Sequence, residues 1–167
     1  MKNTLYFTIT IVLFWASTDV RAVQDQDTVA IDAFIARQES WERGEEYKGA
    51  RKIAAGDLNH DGVIDMAVLY KLEGQNGGNN HMRYLAIFIR DNGALTAVAN
   101  VAVGGKGYRS VELKAISDNK IHLNTLDYAP DDAVCCPSKK GTTYYELVYG
   151  FLREQERPRE QSQRNYN

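Results

Sequence analysis

The chain has 167 residues, with 20 Lys and Arg against 22 Asp and Glu, a formal net charge of −2 and 44% hydrophobic residues. That size and balance describe one ordinary globular domain, and a sequence pI near 5.9 excludes a broad basic surface for nucleic acid or anionic membrane. Ten tyrosines against three prolines exclude a disordered chain, and two cysteines are too few for a disulfide-stapled miniprotein or a four-cysteine zinc site.

Lys2, the apolar run over 5–16 (LYFTITIVLFWA) and the following Val20-Arg21-Ala22 predict a cleaved secretory signal over 1–22. The run is shorter than the roughly 20 apolar residues of a membrane span, so an uncleaved anchor is the lesser alternative. Cleavage near Ala22 predicts a periplasmic or secreted protein with no stable membrane insertion afterwards. At the other end, 153–167 (REQERPREQSQRNYN) has Tyr166 as its only apolar residue and Pro158 against any helix. It reads as a mobile polar tail. A single α+β calcium-loop domain is therefore expected over 23–152.

Within it, Asp27 or Thr28 is placed to cap a helix carrying Val29, Ile31, Phe34, Ile35, Gln38 and Trp41 at helical spacing, with Gly44 at its end. From Arg51 onward the period is closer to two. Residues 82–90 (MRYLAIFIR) are apolar on both faces, as in a central strand, and Asn92-Gly93 is the strongest hairpin signal in the chain. Strands follow over 95–103, 108–116 (Val111 and Leu113 sharing a face) and 121–127, and a Tyr-rich strand over 142–152 comes last. The pattern predicts an N-terminal helix packed on an antiparallel β-meander of about five to seven strands.

The best chemical motif is 56–65 (GDLNHDGVID), with side-chain oxygens at relative positions 1, 3 and 5, glycine at 6, an aliphatic at 8 and a carboxylate at 9. This is the spacing by which a calcium loop wraps its ion. Asp57, Asn59, Asp61 and Asp65, with the Val63 carbonyl, form an all-oxygen set suited to a hard cation, and Ile64 is expected to anchor the loop in the core. The competing reading is an Asx-rich turn closed by its own hydrogen bonds. Position 12 is Val68 rather than a bidentate Glu, and the residues after Asp65 read as a strand, so the motif is not an EF-hand. The segment GDLNHDGVIDMAV resembles the shorter loops of FG-GAP and VCBS-type repeats, in which DxNxDGxxD leads directly into a strand. The resemblance implies the same five ligands, and the missing twelfth ligand puts affinity for Ca2+ in the weak extracellular range, about 10⁻⁴ to 10⁻³ M.

Cys135 and Cys136 are adjacent in DDAVCCPS. A vicinal disulfide, two buried free thiols and bridges to another chain are all open at this level, and a CxxC redox motif is absent. Together with the loop, the glycine-rich turn and RYLAIFIRDNG, this element resembles an uncharacterised group of small exported bacterial proteins and lipoproteins, over about 28–152. The resemblance implies an envelope location and transfers no activity.

Other chemistry is weaker. The segments 73–81 (EGQNGGNNH) and 104–107 (GGKG) lack the GK[ST] ending of a phosphate loop and read as turns, the first long enough to be a binding loop. His60, His81 and His122 are scattered, and no nucleophile is paired with them. Tyr144, Tyr145 and Tyr149 read as sheet packing or an aromatic stripe. The leading expectation is an exported, non-enzymatic, calcium-binding interaction module whose loops at 73–81 and 128–141 meet an unidentified protein or glycan partner. The alternative is a small envelope-glycan hydrolase using paired carboxylates such as Asp131 and Asp132.

Overall fold

The computed structural model describes residues 20–156, so most of the expected signal segment and all of 157–167 lie outside the described residues. One helix and nine strands are described, an α+β arrangement in three layers. Helix α1 (Val20–Glu42) covers one face of a five-stranded antiparallel sheet, and a four-stranded antiparallel sheet covers the other. No described helix is long and apolar enough to cross a membrane.

The helix starts before Asp27, so Asp27 is an interior residue and not a cap. Its buried carboxylate holds Arg90 through two hydrogen bonds of 2.8 and 2.7 Å. Ile31, Phe34 and Ile35 pack on the first sheet as the spacing predicts, but Val29 and Trp41 are exposed, Trp41 at 83%. The apolar stripe is thus shorter at both ends than the sequence pattern. Arg43 takes the left-handed conformation at φ 53°, and the Gly44 N–H returns to the Glu39 carbonyl at 3.1 Å, which closes the last turn. Gly44 is needed for room: a Cβ there would lie 2.9 Å from Gln75 Cγ and 3.0 Å from the Glu73 carbonyl oxygen.

The first sheet contains β1 (Glu45–Glu46), β2 (Lys52–Gly56), β3 (Asp65–Glu73), β4 (His81–Asp91) and β5 (Ala94–Gly105). Strands β1 and β2 lie successively along one edge of β3, and β4 lies along the other. Strand β4 is the central strand expected, buried on both faces over 84–88. Asn92 (φ 48°) and Gly93 (φ 83°) make the expected two-residue turn into β5.

The second sheet is a consecutive meander of β6 (Ser110–Ser117), β7 (Lys120–Asp127), β8 (Lys139–Val148) and β9 (Phe151–Glu156). The single expected strand over 142–152 is instead the β8–β9 hairpin. Its turn is Tyr149-Gly150 at φ 51° and 80°, a conformation rare for tyrosine and so not signalled by residue type. Strand β9 also claims 153–156, the start of the expected tail. Glu154 there accepts from Arg109 at 2.7 and 3.0 Å and from the Tyr145 hydroxyl at 2.8 Å. The described residues form nine strands against the five to seven expected, because Glu45–Glu46 adds a short edge strand and the late segment is a hairpin, and the strands divide between two facing sheets.

Between the sheets, Ala67, Leu69, Leu85, Ile87 and Val103 meet Val111, Leu113, Ile121, Leu123 and Tyr145. The expected sharing of one face by Val111 and Leu113 follows from this packing. Burial of each large aliphatic side chain is worth about 1.5–3 kcal/mol relative to exposure, so this double layer carries the main hydrophobic stabilisation.

Candidate functional site

The 57–64 loop connects β2 to β3, with Gly56 opposite Asp65 as the last residue pair. Strand β6 crosses so close beneath its start that a Cβ on Gly56 would lie 2.6 Å from Ile116 Cγ2. The loop therefore grows from a fixed stem. Asp65 is fully buried, and its Oδ2 and Oδ1 accept the backbone N–H groups of Leu58 and Arg90, each at 2.9 Å. A single carboxylate thus ties both ends of the loop to β4. Leu58, buried in the inter-sheet core, is the anchor, whereas the expected anchor Ile64 is 52% exposed. Ile64 contributes its carbonyl instead, which accepts from Arg90 Nε at 3.1 Å.

Above that stem the remaining oxygens converge. Asp57 Oδ1 accepts the N–H groups of Asn59 and His60 at 3.2 and 2.7 Å, and Oδ2 accepts that of Gly62 at 3.0 Å. Asn59 Oδ1 accepts from the Asp61 N–H, Asp61 Oδ1 from the Val63 N–H, and the Asn59 amide donates to Asp61 Oδ2 at 2.8 Å. Gly62 has φ 80°, as the sharp turn at position 6 demands. His60 meets Asn119 in the β6–β7 turn, tying the loop tip to the second sheet. Desolvation, the largest single influence, raises the Asp57 carboxyl, but the N–H groups of Gly62, His60 and Asn59 together outweigh it and hold the group below the usual carboxylate range.

The structure therefore brings Asp57, Asn59 and Asp61 together at an exposed tip and turns Asp65 toward the stem. Among the described residues, no three His, Cys, Asp or Glu side chains form a metal-holding group. The donor chemistry nevertheless fits a hard cation: all five expected ligands offer oxygen, and Asp57 Oδ2 and both Asp61 oxygens each accept only one hydrogen bond.

Cys135 and Cys136 are bonded to each other, with Cα atoms 3.8 Å apart, and both are exposed, so they are not buried thiols. They sit in the loop between β7 and β8. Asp132 closes the neck of this loop, its Oδ2 accepting from the backbone N–H groups of Ala129 and Ser138 at 2.7 Å each and its Oδ1 from the Ser138 hydroxyl at 2.8 Å. These donors, led by the Ala129 N–H, hold the Asp132 carboxyl below its ordinary range. The Tyr128 hydroxyl donates to the Val134 carbonyl at 2.5 Å and accepts from the Gly107 N–H.

The other expected residues separate. His122 faces away from buried Ile121 and Leu123, meets Ser117 Oγ at 3.0 Å and lies beside Tyr144. Tyr145 is in the core, while Tyr149 is 95% exposed at a turn, so the three late tyrosines form no stripe. The long 74–80 connection separates two cavities, of about 930 and 340 Å³, with Asn79 and His81 in the walls of both. Sequence spacing missed the ion pairs that organise these regions: Asp27–Arg90, Arg51 with Asp32 and Glu46, and Arg109–Glu154. Their only sequence signal is a charged residue interrupting an otherwise apolar strand, as at Arg90.

Compared with protein-family models, curated proteins and solved structures, the chain matches none.

Proposed function

We propose that the chain is an exported, non-enzymatic interaction module in which the 57–65 loop binds Ca2+ and the neighbouring loops meet a protein or glycan partner in the envelope or outside the cell. The observation that carries the calcium half is the convergence of Asp57, Asn59 and Asp61 on a stem already fixed by Asp65. Two exposed carboxylates there are satisfied only by their own loop, leaving anionic charge that a hard cation would neutralise. Asp57, Asn59, Asp61 and Asp65 with the Val63 carbonyl would hold the ion, and the ion would stiffen the loop. An address outside the cytoplasm rests on the signal-like segment over 1–22 and agrees with the bonded cysteine pair.

The interaction reading is favoured over glycan hydrolysis by the state of the carboxylates. A general acid needs a carboxyl held protonated, yet Asp57, Glu73, Asp132 and Glu154 are all shifted downward. Asp132 in addition is committed to three donors of its own loop.

Calorimetric titration should show calcium binding in the parent protein and none in Asp57→Ala or Asp61→Ala. With a dissociation constant of about 10⁻⁴ to 10⁻³ M, roughly 10 mM calcium should raise the melting temperature by several degrees. Absence of both heat and thermal shift would overturn the metal assignment. A pull-down from envelope extract with and without chelator tests whether calcium supports the contact surface.

A further inference from the structure

On β4, His81, Arg83, Leu85 and Ile87 alternate onto the face that meets the second sheet. Leu85 and Ile87 complete the inter-sheet core, and at the end of the sandwich the same row changes from aliphatic to cationic. There the 340 Å³ cavity opens between β4, the Gly105–Arg109 turn and the disulfide-bearing loop. Four of its eleven lining residues are basic, His81, Arg83, Lys106 and Arg109, and none is acidic, in a chain whose net charge is −2. The loop wall is apolar, with Val134, Cys135 and Pro137.

These basic side chains are not equivalent. Arg109 is fully engaged by Glu154, the Tyr145 hydroxyl and the Val103 carbonyl. Lys106 donates to Asn79 Oδ1 at 2.8 Å and to the Asn79 carbonyl at 3.5 Å, and among the described residues it has no carboxylate partner. Glu73, the carboxylate that acts on His81, is itself paired with Lys71. Arg83 is half-buried and has neither a hydrogen bond nor an ion pair among the described residues. Its guanidinium nitrogens stay open to the cleft rather than sealed in the core, and their planar fork matches a carboxylate in two parallel hydrogen bonds. Burial lowers the Arg83 pKa and, with the nearby Lys71, Arg83 and Lys106, lowers that of His81, the signs expected of a cationic pocket lacking its counter-charge.

We propose that this cleft binds a small organic carboxylate, with Arg83 holding the carboxylate group, Lys106 adding positive charge at the rim, and the Val134–Pro137 wall receiving an apolar body. The volume suits a small-molecule ligand rather than a bare ion. The proposal specifies the contact surface of the interaction reading, on which it rests, and is independent of calcium in the 57–65 loop.

Benzoate serves as the probe, with benzamide and inorganic phosphate as controls, each titrated into the full chain and followed by backbone amide shifts. Benzoate is expected to move the amides of Arg83, Lys106 and Val134 with saturation in roughly the millimolar range, and benzamide and phosphate to move them far less. Arg83→Gln should weaken benzoate at least about tenfold, and Val134→Asp, which adds a carboxylate on an exposed loop position without touching the core, should weaken it as well. No saturable shift with benzoate, equal binding of benzamide or phosphate, or unchanged affinity in Arg83→Gln would each overturn the proposal. Calcium titration of the same samples separates the two sites: loss of benzoate binding with calcium heat intact sinks the cleft alone.

Discussion

The two loops braced by aspartate use the same device to different ends. In the 57–65 loop, buried Asp65 alone ties both ends to β4, so Asp57 and Asp61 are left at the tip in excess of what closure requires. In the 128–138 loop, Asp132 closes the neck, Asp131 is exposed outside the cleft lining, and the side facing the cleft is apolar wall and cysteine pair. Surplus carboxylates suit a cation, whereas the cleft beside the second loop, lined by Arg83 and Lys106 and by no carboxylate, suits an anion. On the proposed reading, the two loops would take ligands of opposite charge from one sandwich.

The comparison breaks most sharply at Asp65. Asp65→Ala leaves the buried Leu58 N–H and the partly buried Arg90 N–H without acceptors, and urea unfolding should show a loss of about 2–4 kcal/mol with or without calcium. Removal of Asp57 or Asp61, by contrast, should abolish the calcium-dependent thermal shift and change calcium-free stability much less. A pure ligand role for Asp65 would instead give it the same profile as Asp57.

Acid should loosen the second loop locally. The folded pKa of Asp132 is lowered, so its contribution is fully present above the unfolded aspartate value of about 3.9 and is lost as pH falls through the folded value. Amide hydrogen exchange over 129–138 should accelerate across that acid window, and Asp132→Asn should show accelerated exchange already at neutral pH. The smallest effect is expected from the cysteines. A bond between neighbours closes almost no length of chain, so replacing both by serine should change unfolding free energy by no more than about 1 kcal/mol. Intact mass should show the parent protein two hydrogens lighter than its reduced form.

Much of this was legible because it is local. Asn92-Gly93 announces its turn, 82–90 announces a strand buried on both faces, and the spacing of 57–65 announces a loop rich in side-chain oxygen. Even there, neighbours in space reassigned individual residues. Ile64 lost the anchoring role to Leu58, because β3 begins at Asp65 and the loop enters the core from its front end. Asp27 lost its cap role because the helix begins earlier and Arg90 lies within reach. The β8–β9 hairpin escaped notice because its turn begins with a tyrosine, and the residues claimed by β9 looked polar because Glu154 finds its partners on β6's approach and β8.

The sequence by itself determined the α+β class, the oxygen-rich loop and the adjacency of the two cysteines, since each is written in spacing along a short segment. Only the tertiary structure decided that one meander becomes two facing sheets and that Arg90 joins helix, loop and hairpin. It alone also left Arg83 without a partner among the described residues, in a cleft shared with the disulfide. Those outcomes depend on which residues meet across dozens of positions, and burial and charge pairing act on distance in space, for which the chain carries no periodic signal.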